Sequence, residues 1–343
     1  MRIRDMGFAP GEMTPGPLNR ISDVPGVTVG HCTIADEKYN TGVTVVMPCP
    51  DNPFLRKLPC AAFVLNGFGK TAGLMQIEEL GSLETPIALT NTLNVGLVHD
   101  AMVQYMLQLC EKDGIALRSV NPVVCECNDA SLSTIADRPV HAEHVFAAIR
   151  DARADFEEGA VGCGRGTTCH GLKGGVGSAS RQIILDGKTY TIGLLCQSNH
   201  GRMKDLTLDG VNVGRGISER LRESKPDKGS CIMILATDLP LSDRQLRRVL
   251  RRCSVGLARI GSFIGHGSGE VFIGFSTVNR MPAGDTACYA TTAFNEEYMD
   301  LCFRAAAECA EEAVLNSMAA AEPVTSPQGI THHSLCEMLH PAD

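Results

Sequence analysis

Ile264-Gly265-His266-Gly267-Ser268-Gly269-Glu270, leading directly into Val271-Phe272-Ile273-Gly274-Phe275-Ser276-Thr277, decides how this chain is read. Glycines flank a single serine, and a β-prone run begins at once. Glycine admits positive φ and the close approach of another group. A Gly-Ser peptide held in a tight turn at the mouth of a strand is therefore a candidate for self-cleavage. The Ser268 hydroxyl would attack the carbonyl of Gly267, and water would resolve the ester. Ser268 would then carry nucleophile and amine on one residue. A free α-amine titrates at about 7.7–8.0, close enough to neutrality to serve as general base. Taken alone, the same residues also read as a glycine-rich bulge or turn.

Other segments lie in a telling order around this one. They are Asp23-Val24-Pro25-Gly26-Val27-Thr28-Val29-Gly30-His31, Thr41-Gly42-Val43-Thr44-Val45, Asn66-Gly67, Thr90-Asn91-Thr92, Val95-Gly96 and Pro122-Val123-Val124. Lys173-Gly174-Gly175-Val176-Gly177, Gln197-Ser198-Asn199 and Glu311-Glu312-Ala313-Val314-Leu315-Asn316 follow. Together with the Ser268 turn, this series resembles the DmpA-like aminopeptidases: L-aminopeptidase/D-amino-acid esterases, β-aminopeptidases and nylon-oligomer hydrolases. The resemblance implies a precursor that cuts itself before the serine, and an α/β fold of four layers, αββα. It also implies a homotetramer without metal or organic cofactor.

Composition sets bounds. A chain of 343 residues that is 44% hydrophobic and 20% charged builds a well-cored globular protein. A net charge of −8 argues against a general nucleic-acid surface. Met1-Arg2-Ile3-Arg4-Asp5 is followed by no apolar stretch of a secretory signal, and no run is long enough to span a bilayer. A cytoplasmic protein without membrane partner is expected. The fifteen cysteines are odd in number and are read as reduced, mostly buried thiols. Cys125 and Cys127 flank Glu126, and Cys163, Cys169 and His170 share a glycine-rich segment. None shows Cys-x-x-Cys spacing, so no metal is expected.

Short β-branched runs at Val27–Gly30, Val43–Met47, Ala61–Leu65, Pro86–Thr90 and Pro122–Cys125 alternate with helical spacing over Val95–Lys112 and Ala142–Arg153. Asp186-Gly187 joins two alternating runs as a hairpin turn. Cys231–Ala236 reads as a buried strand. Ser242 with Gln245 forms a capping box before an amphipathic helix, and the arginines of Arg244–Arg252 give that helix a solvated or subunit-facing side. Gly214–Gly229 reads as an exposed connection, Cys288–Phe294 as a strand and Glu296–Ala320 as a long helix. Residues 323–343 read as an irregular tail, with His332-His333 at the surface.

Amide hydrolysis needs more than a nucleophile. Asn199, after an apolar strand and before His200-Gly201, is either a turn residue or a loop amide facing a cleft; the resemblance makes it the oxyanion donor. Lys173 among glycines reads as an exposed loop. Neither it nor Gly67-Phe68-Gly69-Lys70-Thr71 has the full spacing of a phosphate-binding loop. The resemblance instead puts Lys173 beside the nucleophile. Asn295 and Glu297 read as helix-start residues, and the resemblance makes them the pair that orients the nucleophile and its amine. The chain also departs from its relatives. Asn128, in Glu126-Cys127-Asn128-Asp129, stands where several have a substrate-contacting tyrosine. Glu270 replaces an aspartate, and Lys70 stands where an acid is common.

The expectation is one hydrolase domain over residues 1–343, cut between Gly267 and Ser268 into 1–267 and 268–343. It would remove N-terminal residues from small peptides, amino-acid amides or esters through an acyl-enzyme on Ser268. Two rivals remain open: an uncleaved, non-catalytic member of the fold, and a thiol amidase using Cys125 or Cys127.

Overall fold

A computed structural model describes residues 1–222, 229–284 and 287–339. In chain order its principal elements are strands β1 (Thr28–Ala35), β2 (Asn40–Met47), β3 (Arg56–Gly67) and β4 (Ile87–Asn91), helix α1 (Val95–Lys112), strand β5 (Val123–Cys127) and helix α2 (Ala142–Asp151). Strands β6 (Gly175–Leu185), β7 (Lys188–Asn199) and β8 (Ser230–Thr237), helix α3 (Asp243–Arg259), strand β9 (Gly269–Ser276) and helix α4 (Met299–Ala319) follow. One sheet has the order β1-β2-β4-β5. The other has the order β3-β9-β8-β7-β6, with Met281–Pro282 paired to the outer edge of β3.

Strand alternation sets the layers, because successive side chains point to opposite faces. From β8, Ile232, Ile234 and Ala236 join Leu195, Ile273 and Phe275 against Val29, Val46, Leu89 and Cys125 of the first sheet. Their neighbours Cys231, Met233 and Leu235 face the other way, onto Leu246, Val249 and Leu250 of α3 and Ala306, Ala310 and Ala313 of α4. On the outer face of the first sheet, Val43, Val45 and Ala88 meet Val98 and Met102 of α1 and Val145 and Ala148 of α2. The order is helix, sheet, sheet, helix: the αββα sandwich that the resemblance implied.

Two features of this frame position the site. Strand β9 lies inside its sheet, parallel to β8 and antiparallel to β3, so Ser268 sits at the head of a strand with both edges occupied. Beside it the register slips: Glu270 pairs with Asn66 but Val271 with Val64, which leaves Leu65 as a bulge in β3. Bulges commonly re-aim side chains beside active sites. Segment 268–343 is also fastened to the rest of the chain. Arg181 of β6, fully buried, bonds Glu308 at 2.8 Å and Glu312 at 2.7 Å on α4, and Arg4 bonds the same Glu312 at 2.6 Å. Breaking a buried ion pair of this kind costs about 3–5 kcal/mol.

Local signals explain the elements. Ser242 Oγ accepts the Gln245 N–H and Gln245 Oε1 accepts the Ser242 N–H, closing the capping box of α3. Asp186 and Gly187 take φ of 50° and 73°, as a primed hairpin turn requires. Within the chain, Arg244 and Arg248 of α3 bond Glu296, Arg252 stacks on Phe303 and Arg259 bonds Glu311. Some expectations are corrected. Cys288–Phe294 is not a strand but an exposed, irregular segment, since neither edge of β9 is open to it. Gly214–Leu221 is a helix rather than a plain connection, and residues 223–228 lie outside the described residues. The tail contains a short ladder, Val324–Thr325 with Thr331–His332, and a helix at Leu335–Leu339. His332 is buried, not at the surface, and residues 340–343 lie outside the described residues.

Candidate active site

The turn before β9 is closed by Ser268 N–H donating to the Gly265 carbonyl at 3.0 Å. Ile264, one residue earlier, has φ +58°, a costly left-handed conformation for a β-branched side chain. Asn66 Nδ2 holds the turn from the neighbouring strand, donating to the carbonyls of Gly265 and His266 at 3.1 Å each and to that of Ser268. Ser268 is fully buried, and its Oγ donates to Oε1 of the equally buried Glu270. Positions i and i+2 share a strand face, so the serine reaches this carboxylate without any long-range arrangement.

Above the turn opens a cavity of about 740 Å³, floored by Gly265-His266-Gly267 and walled by Glu126, Asn128 and Ser230. Phe68 and Phe263 line its mouth, with Lys70 stacked on the first ring and Arg202 on the second. Glu126 is oriented inside it: Oε1 accepts the Lys70 backbone N–H at 3.0 Å and Oε2 the Thr92 hydroxyl. Glu126, Glu270 and Asn66 were not singled out by sequence as working residues. The Ser268/Glu270 spacing was a usable signal; the meeting of Glu126 with the turn depends on two sheets packing together.

Asn199 sits behind the cavity wall. Its Oδ1 accepts the Thr168 N–H at 3.0 Å, and its Nδ2 donates to the carbonyl of Asn128 at 2.9 Å. Asn199 faces Ser230 across β7/β8, and Ser230 faces Gly269 across β8/β9. Lys173 is not in an exposed loop. It is fully buried, and Nζ donates to the carbonyls of Gly164 (2.9 Å), Thr167 (2.6 Å) and Gly174 (2.7 Å). Burial, and then the charge of Arg165, pull its pKa well below the usual lysine value. Three carbonyls match the three donors of an ammonium, so its bonds are made to this hairpin and not to Ser268.

Within the chain, Asn295 and Glu297 lie apart from Ser268. Both are exposed, and Asn295 Oδ1 accepts the Glu297 N–H at 3.1 Å as a cap. Between them, Glu296 bonds Arg244 and Gln245 at the start of α3, beyond the end of β8. Ser268 stands at the other end of the parallel pair β8/β9, an eight-residue strand away, or roughly 26 Å at 3.3 Å per residue. Cys125 and Cys127 are both fully buried, and burial pushes their thiols above the ordinary value, which disfavours the thiol reading. A reactive cysteine needs the thiolate.

A buried serine heading an interior strand of an αββα sandwich, beneath a cavity, is the layout of an N-terminal-nucleophile-type hydrolase. The sequence profile of peptidase family S58 matches residues 19–332. The β-peptidyl aminopeptidase BapA of Sphingosinicella xenopeptidilytica is 36% identical, the alignment covering 98% of this chain and 90% of that protein. The crystal structure of the PH0078 protein from Pyrococcus horikoshii OT3 superposes with a TM-score of 0.92 at 42% identity, covering 98% of this chain and 96% of that one. The L-aminopeptidase D-Ala-esterase/amidase of Ochrobactrum anthropi, described as a prototype of the serine aminopeptidases and a variant of the Ntn-hydrolase fold, superposes with 0.91 at 34% identity, covering 98% and 96%. The chain belongs to peptidase family S58 and is a peptidase. Among the described residues, no helix is long and apolar enough to cross a membrane.

Proposed function

We propose that this protein is a self-processing serine aminopeptidase that releases N-terminal residues from small peptides, amino-acid amides or esters. The observation that carries the reading is the Ser268 Oγ–Glu270 bond at the head of β9, beneath the cavity floored by Gly265–Gly267. In the precursor no α-amine is free, so Glu270 takes the Oγ proton as Ser268 attacks the Gly267 carbonyl carbon. Collapse breaks the Gly267–Ser268 C–N bond, and the proton passes from Glu270 to the departing nitrogen. Water then hydrolyses the ester, leaving a Gly267 carboxylate and a free Ser268 amine. In the mature enzyme that amine, in its neutral form, takes the Oγ proton as Ser268 attacks the substrate carbonyl.

Glu126 offers a carboxylate to the substrate's ammonium, Asn128 lines the same wall, and Asn199 supports the oxyanion. Lys173 fits a positioning role, holding the hairpin whose Thr168 bonds Asn199. The Arg181–Glu308–Glu312–Arg4 cluster keeps the two products together. The family resemblance supports a homotetramer, and fifteen free thiols suit the reducing cytoplasm. Mass spectrometry of denatured protein tests the core of this reading. Two chains are expected, 1–267 and 268–343, with Ser268→Ala remaining one. A wild-type chain that stays whole yet hydrolyses peptides at full rate overturns it.

A further inference from the structure

Behind the Asn199 wall, three potential metal ligands converge that the proposed chemistry does not use. Cys169 Sγ and ring nitrogens of His170 and His200 all lie within 4.8 Å of one another, and all three residues are buried. His200 is 2% exposed, and among the described residues neither of its ring nitrogens has a hydrogen-bond partner. An imidazole buried with both nitrogens unsatisfied is costly, and its ring stands 5.6 Å from that of His170 in an edge-on arrangement. His170 Nδ1 meets the carbonyl of Arg202 at 3.0 Å. That bond puts the proton on Nδ1 and the lone pair on Nε2, the arrangement that orients metal-bound histidines. Gly201, at φ +87°, makes room for the ring: a Cβ there would lie 2.5 Å from His170 Cε1.

We propose that Cys169, His170 and His200 form a zinc site that locks the two segments flanking Asn199. One thiolate and two imidazoles suit Zn²⁺, with Zn–S of about 2.3 Å and Zn–N of about 2.0–2.1 Å. Tetrahedral bonds of that length put ligand atoms roughly 3.3–3.6 Å apart, so binding draws the three side chains inward. Water takes the fourth position. The Cys169 thiol loses its proton to solvent as the Zn–S bond forms. The site's place gives it a purpose. Thr168, whose N–H holds Asn199 Oδ1, precedes Cys169; His200 follows Asn199; and His170 N–H already donates to the His200 carbonyl at 2.7 Å. A zinc ion there clamps both sides of the asparagine and makes Cys169, His170 and His200 positioning residues.

Full-length protein stripped by chelator and titrated with Zn²⁺ should bind one equivalent with a rise in Tm. Titration with Co²⁺ should give the absorption of a tetrahedral ion with a thiolate-to-metal band. X-ray absorption of the zinc-loaded wild type should show one sulfur at about 2.3 Å and two imidazoles, a readout independent of any variant. Cys169→Ser and His200→Ala should each lose the stoichiometric ion and the Tm rise, while His333→Ala should keep both. An all-oxygen/nitrogen shell, no thiolate band, or binding lost in His333→Ala and kept in His200→Ala overturns the proposal. None of these outcomes depends on self-cleavage, so this site and the Ser268 chemistry stand or fall separately.

Discussion

At the head of β9, Ser268 and Glu270 are fully buried and bonded to each other, with Asn66 gripping the turn above them. Beyond the far end of the same sheet, Asn295, Glu296 and Glu297 lie in solvent, and Glu296 bonds two arginines along the surface. Both regions bring polar and acidic residues to the end of a strand, but at very different cost. A carboxylate taken out of water must be matched by partners, and losing one is expensive. An exposed ion pair contributes about 0–1 kcal/mol and tolerates change. The buried end can hold a proton acceptor against a nucleophile; the exposed end can cap a helix.

The largest expected effect tests the chemical side of that contrast. Glu270→Gln keeps the shape and a hydrogen-bonding oxygen but removes the base, so self-processing should slow by about 10²–10⁴-fold. Following the uncleaved fraction against time by denaturing mass spectrometry measures it. Cleavage at the wild-type rate would mean that Glu270 is not the base and that burial at this end serves packing alone. Asn199→Ala comes next. In protein shown to be fully processed, kcat should fall by about 10²–10³ with KM nearly unchanged, as for the loss of an oxyanion donor. An unchanged kcat would leave Asn199 as a strut between Asn128 and Thr168.

What could be read in advance follows the same division between local and distant causes. The helix Val95–Lys112, the Ser242/Gln245 box and the Asp186-Gly187 turn depend on residues a few positions apart, and each stands where its pattern put it. The Ser268 turn is legible in its own flanking glycines, whereas the αββα order of layers and the role expected of Asn199 rest on the family resemblance. Glu126 escaped notice as a working residue because its value depends on β5 meeting the Ser268 turn across the sheet interface. Read by itself, Lys173 among glycines suggests an exposed loop, whereas here the glycines let carbonyls crowd around a buried ammonium. Asn295 and Glu297 carry a pattern that a capping pair and a catalytic pair share, and within one chain the cap is what forms.

Titration should also separate the two ends. Asp129, next to the cavity residue Asn128, is fully buried, and burial raises its pKa from 3.8 to about 6. The folded state therefore holds this proton more tightly than the unfolded chain. Its contribution to stability is complete below pH 3.8 and is lost as the pH rises to about 6, by up to about 3 kcal/mol for two units. Asp129→Asn cannot lose that contribution, so its stability relative to wild type should increase between pH 4 and pH 7. Comparison with wild type is needed because His31, lowered by burial to about 4, acts in the opposite sense over the same range. Denaturant unfolding at both pH values measures the difference, and parallel profiles would show that Asp129 is not held neutral.

The smallest effect belongs to the exposed end. Asn295→Ala removes a helix cap, at about 0.5–2 kcal/mol, and Glu297→Gln removes a solvated charge. If neither side chain meets Ser268, kcat/KM of the processed enzyme should stay within about twofold of wild type in both variants, since surface changes away from a site seldom exceed about 0.5 kcal/mol. Steady-state kinetics paired with Tm separates a cap from a catalytic pair: a cap lowers Tm and leaves kcat alone. A tenfold fall in kcat at unchanged Tm would put this loop beside a reacting serine. Within one chain the strand between them is too long for that contact, so the serine would have to belong to a second protomer, and the contrast between the two ends of β9 would become a contact between subunits.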